Sequence, residues 1–132
     1  YQSLENYQQV LLIEPENLQI LYNLGVISNE LNQTEMAKNY YEKVLLFDKD
    51  YYDANLNLAA LILSGENKII LEMNSLGVSK ADDKRYDELD LERKKLYIDA
   101  LKYLYKLQEL NPTDQSIINT MNNIKGALKS YN

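Results

Sequence analysis

The sequence predicts an all-α protein, a solenoid of antiparallel helix pairs within one domain of 132 residues. Two observations lead to this class. Apolar residues recur at three- and four-residue spacing through most of the chain, which is the period of one face of an α-helix. Segments of the chain also copy one another at a fixed distance of 34 residues. A fixed period of this size is typical of stacked helical repeats.

The internal copying also locates an insertion. Residues that match at an offset of 34 are Tyr7 and Tyr41, Val10 and Val44, Leu12 and Leu46, Asn23 and Asn57, Leu24 and Leu58, and Gly25 and Ala59. Farther along, the offset becomes 63, in Ala37 and Ala100, Tyr40 and Tyr103, Lys43 and Lys106, and Leu58 and Met121. The difference, 63 minus 34, is an insertion of 29 residues at about 65–93.

The first predicted elements are a half repeat and a full repeat. Residues 1–15 read as the second helix of a truncated repeat, which Pro15 ends because the residue before a proline avoids the helical region. Residues 18–48 form the full repeat, with one helix at 16–31 and another at 34–47, joined by a polar turn at Asn32, Gln33 and Thr34. We expect its core to contain Leu21, Leu24, Tyr41 and Val44, with the small residues Gly25 and Ala37 where the helices cross closely.

Residues 51–112 are predicted to be a second repeat that holds the insertion, and two arrangements remain open. In the first, one helix runs through Gly65 to about Leu76, and a long helix returns over about 82–110. The insertion then extends the hairpin, with apolar residues of the first arm (Ile69, Ile70, Met73 and Leu76) packed on those of the second (Tyr86, Leu89, Leu96 and Tyr97). In the second arrangement, residues 64–67 form an ordinary repeat turn, followed by a short helix at 68–76 and a loop.

The last predicted element is a capping helix over residues 114–130. Its apolar residues Ile117, Ile118, Met121, Ile124 and Leu128 share one face, and the opposite face is polar. A terminal helix with a polar outer face closes the open end of a repeat stack.

Composition favours a non-enzymatic protein. The chain contains no His and no Cys, so the commonest general base, the thiol nucleophile and the usual zinc ligands are missing. We therefore expect no catalytic residue, no metal and no cofactor. Asp48, Lys49 and Asp50 resemble the start of a calcium loop, but Asp53 and Ala59 stand where such a loop needs Gly and Glu.

The charge and hydropathy of the chain bear on its partners. The net charge is −6, and a nucleic-acid surface needs a basic patch, so we expect no nucleic-acid partner. No apolar run approaches 18 residues, so we expect no membrane insertion. An acidic run at 82–92 admits two interpretations, a docking surface for a basic partner or a solvated helix start.

The chain resembles the tetratricopeptide repeat family over most of its length. The residues that carry the resemblance are Leu21, Leu24 and Gly25 in a first helix, and Ala37, Tyr41 and Val44 in a second. Ala100, Leu104, Leu107 and Pro112 fit another second half, whereas Lys49 replaces the Pro of the family pattern. The combination with an enlarged hairpin resembles proteins of Bacteroidetes bacteria, which favours the cell envelope slightly over the cytoplasm.

The resemblance implies that the protein binds a peptide or protein segment in a concave groove lined by the first helix of each repeat. The implied contact residues are Gln19, Tyr22, Asn23, Val26, Asn29, Glu30, Asp53, Leu56, Asn57, Ala60, Asn119 and Asn123. In peptide-binding members of the family, an Asn at the position of Asn23 and Asn57 bonds the ligand backbone. Members that hold acidic peptide ends carry Lys or Arg where this chain has Tyr22, Val26 and Asp53, so an uncharged or basic segment fits better. The alternative is a structural protein that self-associates, as a homo-oligomer, through the extended hairpin or the helix at 1–15.

Overall fold

The computed structural model describes residues 17–129, and within this range the chain is helical without a strand. The helices are α1 (Leu18–Glu30), α2 (Thr34–Phe47), α3 (Tyr52–Ser64), α4 (Glu66–Ser75), α5 (Lys80–Leu110) and α6 (Gln115–Lys129). The all-α class predicted from the sequence is therefore confirmed. The helix predicted at 1–15 lies outside the described residues.

Helices α1 and α2 form a hairpin whose ends are fixed by local hydrogen bonds. The side chain of Asn17 accepts a hydrogen bond from the backbone N–H of Ile20 at 3.2 Å and caps the start of α1. At the other end, Asn32 has a φ of 60°, a left-handed conformation that asparagine tolerates better than most residues. The N–H of Gln33 then reaches the carbonyl of Ser28 at 2.8 Å, as in a Schellman motif. The turn lies where the sequence predicts it.

The core of this hairpin contains the residues that the repeat pattern predicts to be buried. Leu21, Leu24, Tyr41 and Val44 are each at most 1% exposed. Leu21 and Val44 form one cluster with Ala54 of α3, so the start of α3 also packs on this pair. The predicted close approach of the two helices occurs at Gly25, where the ring of Tyr41 occupies the space that a Cβ would need.

Neither arrangement proposed for Gly65 describes the structure fully. Helix α3 ends at Ser64 and α4 begins at Glu66, so a single uninterrupted helix through Gly65 is wrong. Gly65 nevertheless has φ −65° and ψ −20°, which is a right-handed helical conformation, so residues 64–67 do not form the ordinary repeat turn of the second arrangement. The reason is local: the N–H of Gly65 bonds the carbonyl of Ile62 at 3.1 Å, a three-residue step that tightens the helix there. The separate short helix of that arrangement, followed by a loop, is present as α4 at Glu66–Ser75.

Helices α4 and α5 run antiparallel, and α5 is one continuous helix of 31 residues. Two ion pairs fix the direction, since Glu66 meets Arg93 and Glu72 meets Arg85. Met73, Leu89 and Tyr97 are buried, in agreement with the predicted contacts. Tyr86 differs from these three residues, since it is 46% exposed.

Helix α6 packs against α5 after the turn that contains Pro112. The carboxylate of Asp114 accepts the N–H groups of Ser116 (3.0 Å) and Ile117 (3.3 Å), which caps the start of α6. Ile117, Met121 and Ile124 are buried, as the apolar stripe predicts.

The chain divides into two compact units, residues 1–58 and residues 59–132. The first contains α1, α2 and the start of α3. The second contains the end of α3 with α4, α5 and α6.

Candidate binding face of helices α1 and α3

Three tyrosines form an aromatic cluster at the surface between α1 and the start of α3. The ring of Tyr22 lies 5.5 Å from the ring of Tyr51 and 5.9 Å from the ring of Tyr41, with tilts of 34° and 41°. Tilted ring pairs at such distances are favourable by about 0.5–1.5 kcal/mol beyond the area they bury. Tyr41 is buried, whereas Tyr22 and Tyr51 are half-buried and remain accessible.

Two separate sets of side-chain hydrogen bonds join α1 to α3 and to the residue just before it. The amide Nδ2 of Asn57 donates to the hydroxyl oxygen of Tyr22 at 2.7 Å. The hydroxyl of Tyr51 donates to Oε1 of Gln19 at 3.3 Å, and Nε2 of Gln19 donates to Oδ1 of Asn23 at 3.0 Å. We call these five residues the tyrosine–asparagine face. The network holds its side chains in a fixed arrangement before any ligand binds.

Asn55 holds the backbone of Tyr51 in place by hydrogen bonds. It is 2% exposed, and its amide Nδ2 donates to the carbonyls of Lys49 and Tyr51, both at 3.0 Å. A buried amide that bonds two loop carbonyls fixes the path of the chain into α3. Neither Tyr51 nor Asn55 was predicted from the sequence as a contact residue, because neither occupies a position that the family resemblance implies for ligand contact.

Two polar atoms of the face remain available to a ligand. Both the Tyr22 and Tyr41 hydroxyls interact with the side chain of Asn57. The 2.7 Å bond between Asn57 and Tyr22 uses neither Oδ1 of Asn57 nor the hydroxyl hydrogen of Tyr22. Both side chains are half-buried.

The three tyrosines are neutral at physiological pH. Burial raises the pKa of Tyr41 to about 12, with smaller contributions from Tyr22 and Glu30. Burial also raises the pKa of Tyr22 and of Tyr51, and the carboxylate of Asp53 is the next cause for both. All three hydroxyls therefore keep their hydrogens as donors.

The other predicted contact residues of the first unit surround this face. Val26 is half-buried, and Asn29, Glu30, Asp53 and Leu56 are exposed. The resemblance implies that Asn23 and Asn57 bond a peptide backbone, and this stays a prediction. In the structure the side chain of Asn23 bonds Gln19 and that of Asn57 bonds Tyr22.

Three predicted residues belong to the second unit. Ala60, Asn119 and Asn123 are exposed there, and Oδ1 of Asn119 accepts a hydrogen bond from Gln115 at 2.8 Å. The five residues of the tyrosine–asparagine face all belong to the first unit.

Comparison with protein families bears on this same region. Residues 18–51 match the family model described as tetratricopeptide repeat. A tetratricopeptide repeat is found here. The repeat comprises α1 and α2 and ends at Tyr51, so it contains every member of the tyrosine–asparagine face except Asn57. Tetratricopeptide repeats generally mediate protein–protein interaction and are typically non-enzymatic.

The repeat match stands by itself. No curated protein matches the chain. The comparisons give no support to the resemblance to Bacteroidetes proteins with an enlarged hairpin.

Two further properties concern the part of the chain that the structure describes. Between residues 17 and 129, no group of three or more His, Cys, Asp or Glu side chains is arranged to hold a metal ion. No helix in the same range combines the length and the apolar character needed to cross a bilayer.

Proposed function

We propose that this chain is a protein-interaction module that binds a segment of a partner protein on the tyrosine–asparagine face. The observation that carries the proposal is the Asn57–Tyr22 pair, whose 2.7 Å hydrogen bond leaves one acceptor and one donor available beside each other. A peptide backbone offers a donor N–H and an acceptor C=O at each residue other than proline. Oδ1 of Asn57 accepts the N–H, and the hydroxyl of Tyr22 donates to the C=O.

The surroundings of this pair suit the same role. Tyr22 and Tyr51 provide apolar ring surface with little conformational freedom to lose, and tyrosine is enriched among the residues that dominate binding energy. Val26 and Leu56 add apolar contact beside them. Because the hydrogen-bond network exists without a ligand, less ordering entropy is lost on binding.

A display experiment tests the proposal. A library of random twelve-residue peptides is selected on the native chain, and the enriched peptides are titrated against Tyr22→Phe, Asn57→Ala and the double variant. Each single change removes one hydrogen bond to the peptide, so affinity should fall roughly two- to tenfold for each. Fluorescence anisotropy of labelled peptides measures the dissociation constants.

The matched controls carry the same substitutions elsewhere. Tyr86→Phe changes a 46% exposed tyrosine of α5, and Asn39→Ala changes an exposed asparagine of α2. Both should leave the affinity unchanged. The proposal is wrong if no peptide is enriched, or if the enriched peptides bind the double variant as tightly as the native chain.

One observation favours a second candidate, self-association through α5. Leu91, Ile98 and Tyr105 are 53%, 52% and 49% exposed and lie seven residues apart, which places them on one stripe of the helix. A seven-residue apolar repeat is the pattern by which two helices pair.

Sedimentation velocity tests this candidate. Ile98→Lys puts a charge in the centre of the stripe, and Leu46→Lys makes the same change at an 82% exposed site of α2. If α5 pairs with a second copy, the native chain and Leu46→Lys sediment as dimers and Ile98→Lys as a monomer. A native chain that is monomeric at about 100 μM contradicts this candidate. A dissociation constant above that concentration corresponds to an association free energy weaker than about 5.5 kcal/mol.

A further inference from the structure

Asp53 is an unpaired negative charge at the edge of the tyrosine–asparagine face. It lies in the first turn of α3, one turn before Asn57, so both side chains point to the same side of the helix. Its carboxylate also contributes to the raised pKa of both Tyr22 and Tyr51. Among residues 17–129 it forms no ion pair, and it is exposed.

The first unit offers little positive charge to this region. Its described residues contain six acids (Glu30, Glu35, Glu42, Asp48, Asp50 and Asp53) and three lysines (Lys38, Lys43 and Lys49). No Lys or Arg occurs in α1 or α3, the two helices that build the face. The face is therefore acidic, and a complementary ligand is positively charged.

Elsewhere in the chain, tyrosine rings already hold cations. In the second unit Arg93 lies 5.4 Å from the ring of Tyr97, Lys102 lies 5.3 Å from the ring of Tyr103, and Lys125 lies 5.0 Å from the ring of Tyr105. Such contacts contribute about 0.5–1 kcal/mol at exposed sites. Tyr22 and Tyr51 have no cation over their rings within the described range, although both are partly accessible.

We propose that the bound segment carries a lysine or arginine side chain, which lies against the rings of Tyr22 and Tyr51 with its charge beside the carboxylate of Asp53. This inference rests on the proposed function, because the peptide backbone must lie along Asn57 and Tyr22 to place the side chain there. The partner is thus a segment with at least one basic residue. An acidic peptide end is repelled by Asp53 and Glu30.

The composition of the selected peptides is the first test. Selection from the random library on the native chain should enrich Lys and Arg, and parallel selection on Asp53→Asn should enrich them less. One enriched peptide is then synthesised with its Arg replaced by citrulline, a neutral side chain of nearly the same shape. The citrulline peptide should bind the native chain about three- to tenfold more weakly, and this difference should be smaller in Asp53→Asn, where only the tyrosine rings still favour the charge.

A salt series and a matched acid variant complete the design. The preference for arginine over citrulline should shrink as NaCl rises from 20 to 300 mM, because exposed charges are screened. Glu35→Gln removes an exposed acid of α2 outside the face and should leave the preference unchanged.

The outcomes separate this inference from the proposed function. If peptides bind through Tyr22 and Asn57 but show no excess of Lys or Arg and tolerate citrulline, the basic-segment inference is overturned and the binding function stands. If the peptides are insensitive to Tyr22→Phe and Asn57→Ala, both are overturned.

Discussion

Gly25 decides how closely α1 and α2 approach each other. A Cβ at this position would lie 2.5 Å from Cε1 and 2.8 Å from Cδ1 of Tyr41, and the ring of Tyr41 is 1% exposed with no room to shift. The sequence indicated a need for a small residue there from the repeat pattern alone. The structure supplies the physical reason, which is the ring edge of Tyr41.

We expect Gly25→Ala to destabilise the protein by about 1–3 kcal/mol, the usual cost of an added methyl group in a filled core. Gly126→Ala is the matched control, because a Cβ there meets nothing within 4 Å. This control should stabilise the protein by up to about 1 kcal/mol through helix propensity. Urea unfolding measures both, and equal effects of the two substitutions would refute the close contact.

Tyr41 makes the free energy of unfolding fall at alkaline pH. Its pKa is raised to about 12 in the folded chain, above the value of 10.0 of a free tyrosine. Below pH 10 the phenol is neutral in both states and the stabilisation is fully present. Above pH 10 the unfolded chain ionises first, so the stabilisation is lost as pH rises towards 12.

Between pH 9 and pH 12, the ionisation of Tyr41 should lower the free energy of unfolding by roughly 2–3 kcal/mol, because its pKa is about 12 in the folded chain and 10.0 in a free tyrosine. Urea midpoints of the native chain and of Tyr41→Phe across this range measure it by difference. The Phe variant should lose less stability, since the lysines and the other tyrosines titrate equally in both proteins. Parallel curves would show that Tyr41 ionises freely in the folded state.

At the scale of the helix, α4 is attached to α5 by one buried apolar side chain and by ion pairs at the surface. The guanidinium of Arg85 donates to the two carboxylate oxygens of Glu72 at 2.6 and 3.0 Å, which lowers the pKa of that carboxyl. Both side chains remain about 40% exposed, so solvent screens much of the attraction. Met73 is 8% exposed and lies in the contact itself.

We therefore expect Met73→Ala to destabilise α4 by about 2 kcal/mol or more and Glu72→Gln to have little effect. Amide hydrogen exchange resolved over residues 66–75 measures this. Exchange in α4 should accelerate strongly in the Met73 variant and only slightly in the Glu72 variant. The reverse order would mean that the ion pairs, not the apolar contact, hold the helix in place.

The break at Gly65 also belongs to the scale of the helix. Sequence periodicity continues through Gly65 because Ile62, Ile69 and Met73 keep a three-four spacing, and this favours one long helix. The structure inserts a single tightened turn there. A Cβ at Gly65 would lie 3.1 Å from the side chain of Leu96 and 3.2 Å from the carbonyl of Ile62. The spacing of apolar residues predicts which residues face inward. A local change of hydrogen bonding, such as the one at Gly65, leaves this spacing unchanged, so the spacing cannot predict it.

At the scale of the whole molecule, net charge governs which large partners are attracted. The chain has 20 acids and 14 bases, for a net charge of −6. Phosphate backbones are bound chiefly through clustered Lys and Arg. The absence of a nucleic-acid partner stays a prediction.

We expect no binding of a labelled 20-base-pair DNA duplex at 50 mM salt, measured by fluorescence anisotropy up to about 50 μM protein. Micromolar binding that weakens steeply with added salt would contradict this. A positive result would also weaken the acidic description of the tyrosine–asparagine face, since both follow from the same charge distribution.

The sequence by itself determined the helical class, the boundaries of α2 within the repeat, and the core positions Leu21, Leu24, Tyr41 and Val44. These follow from a period of 3.6 residues and from the 34-residue copying, which are properties of the chain read in order. Tyr22 and Asn57 were predicted as contact residues from the family resemblance.

Only the tertiary structure decided what those side chains do. The hydrogen bond between Asn57 and Tyr22 joins residues 35 positions apart, and the contact of Tyr51 with Gln19 joins residues 32 apart. Such contacts depend on the distance and rotation between two packed helices, which no local pattern specifies. Those two quantities determine which polar atoms bond one another and which, like Oδ1 of Asn57 in our proposal, bind a ligand.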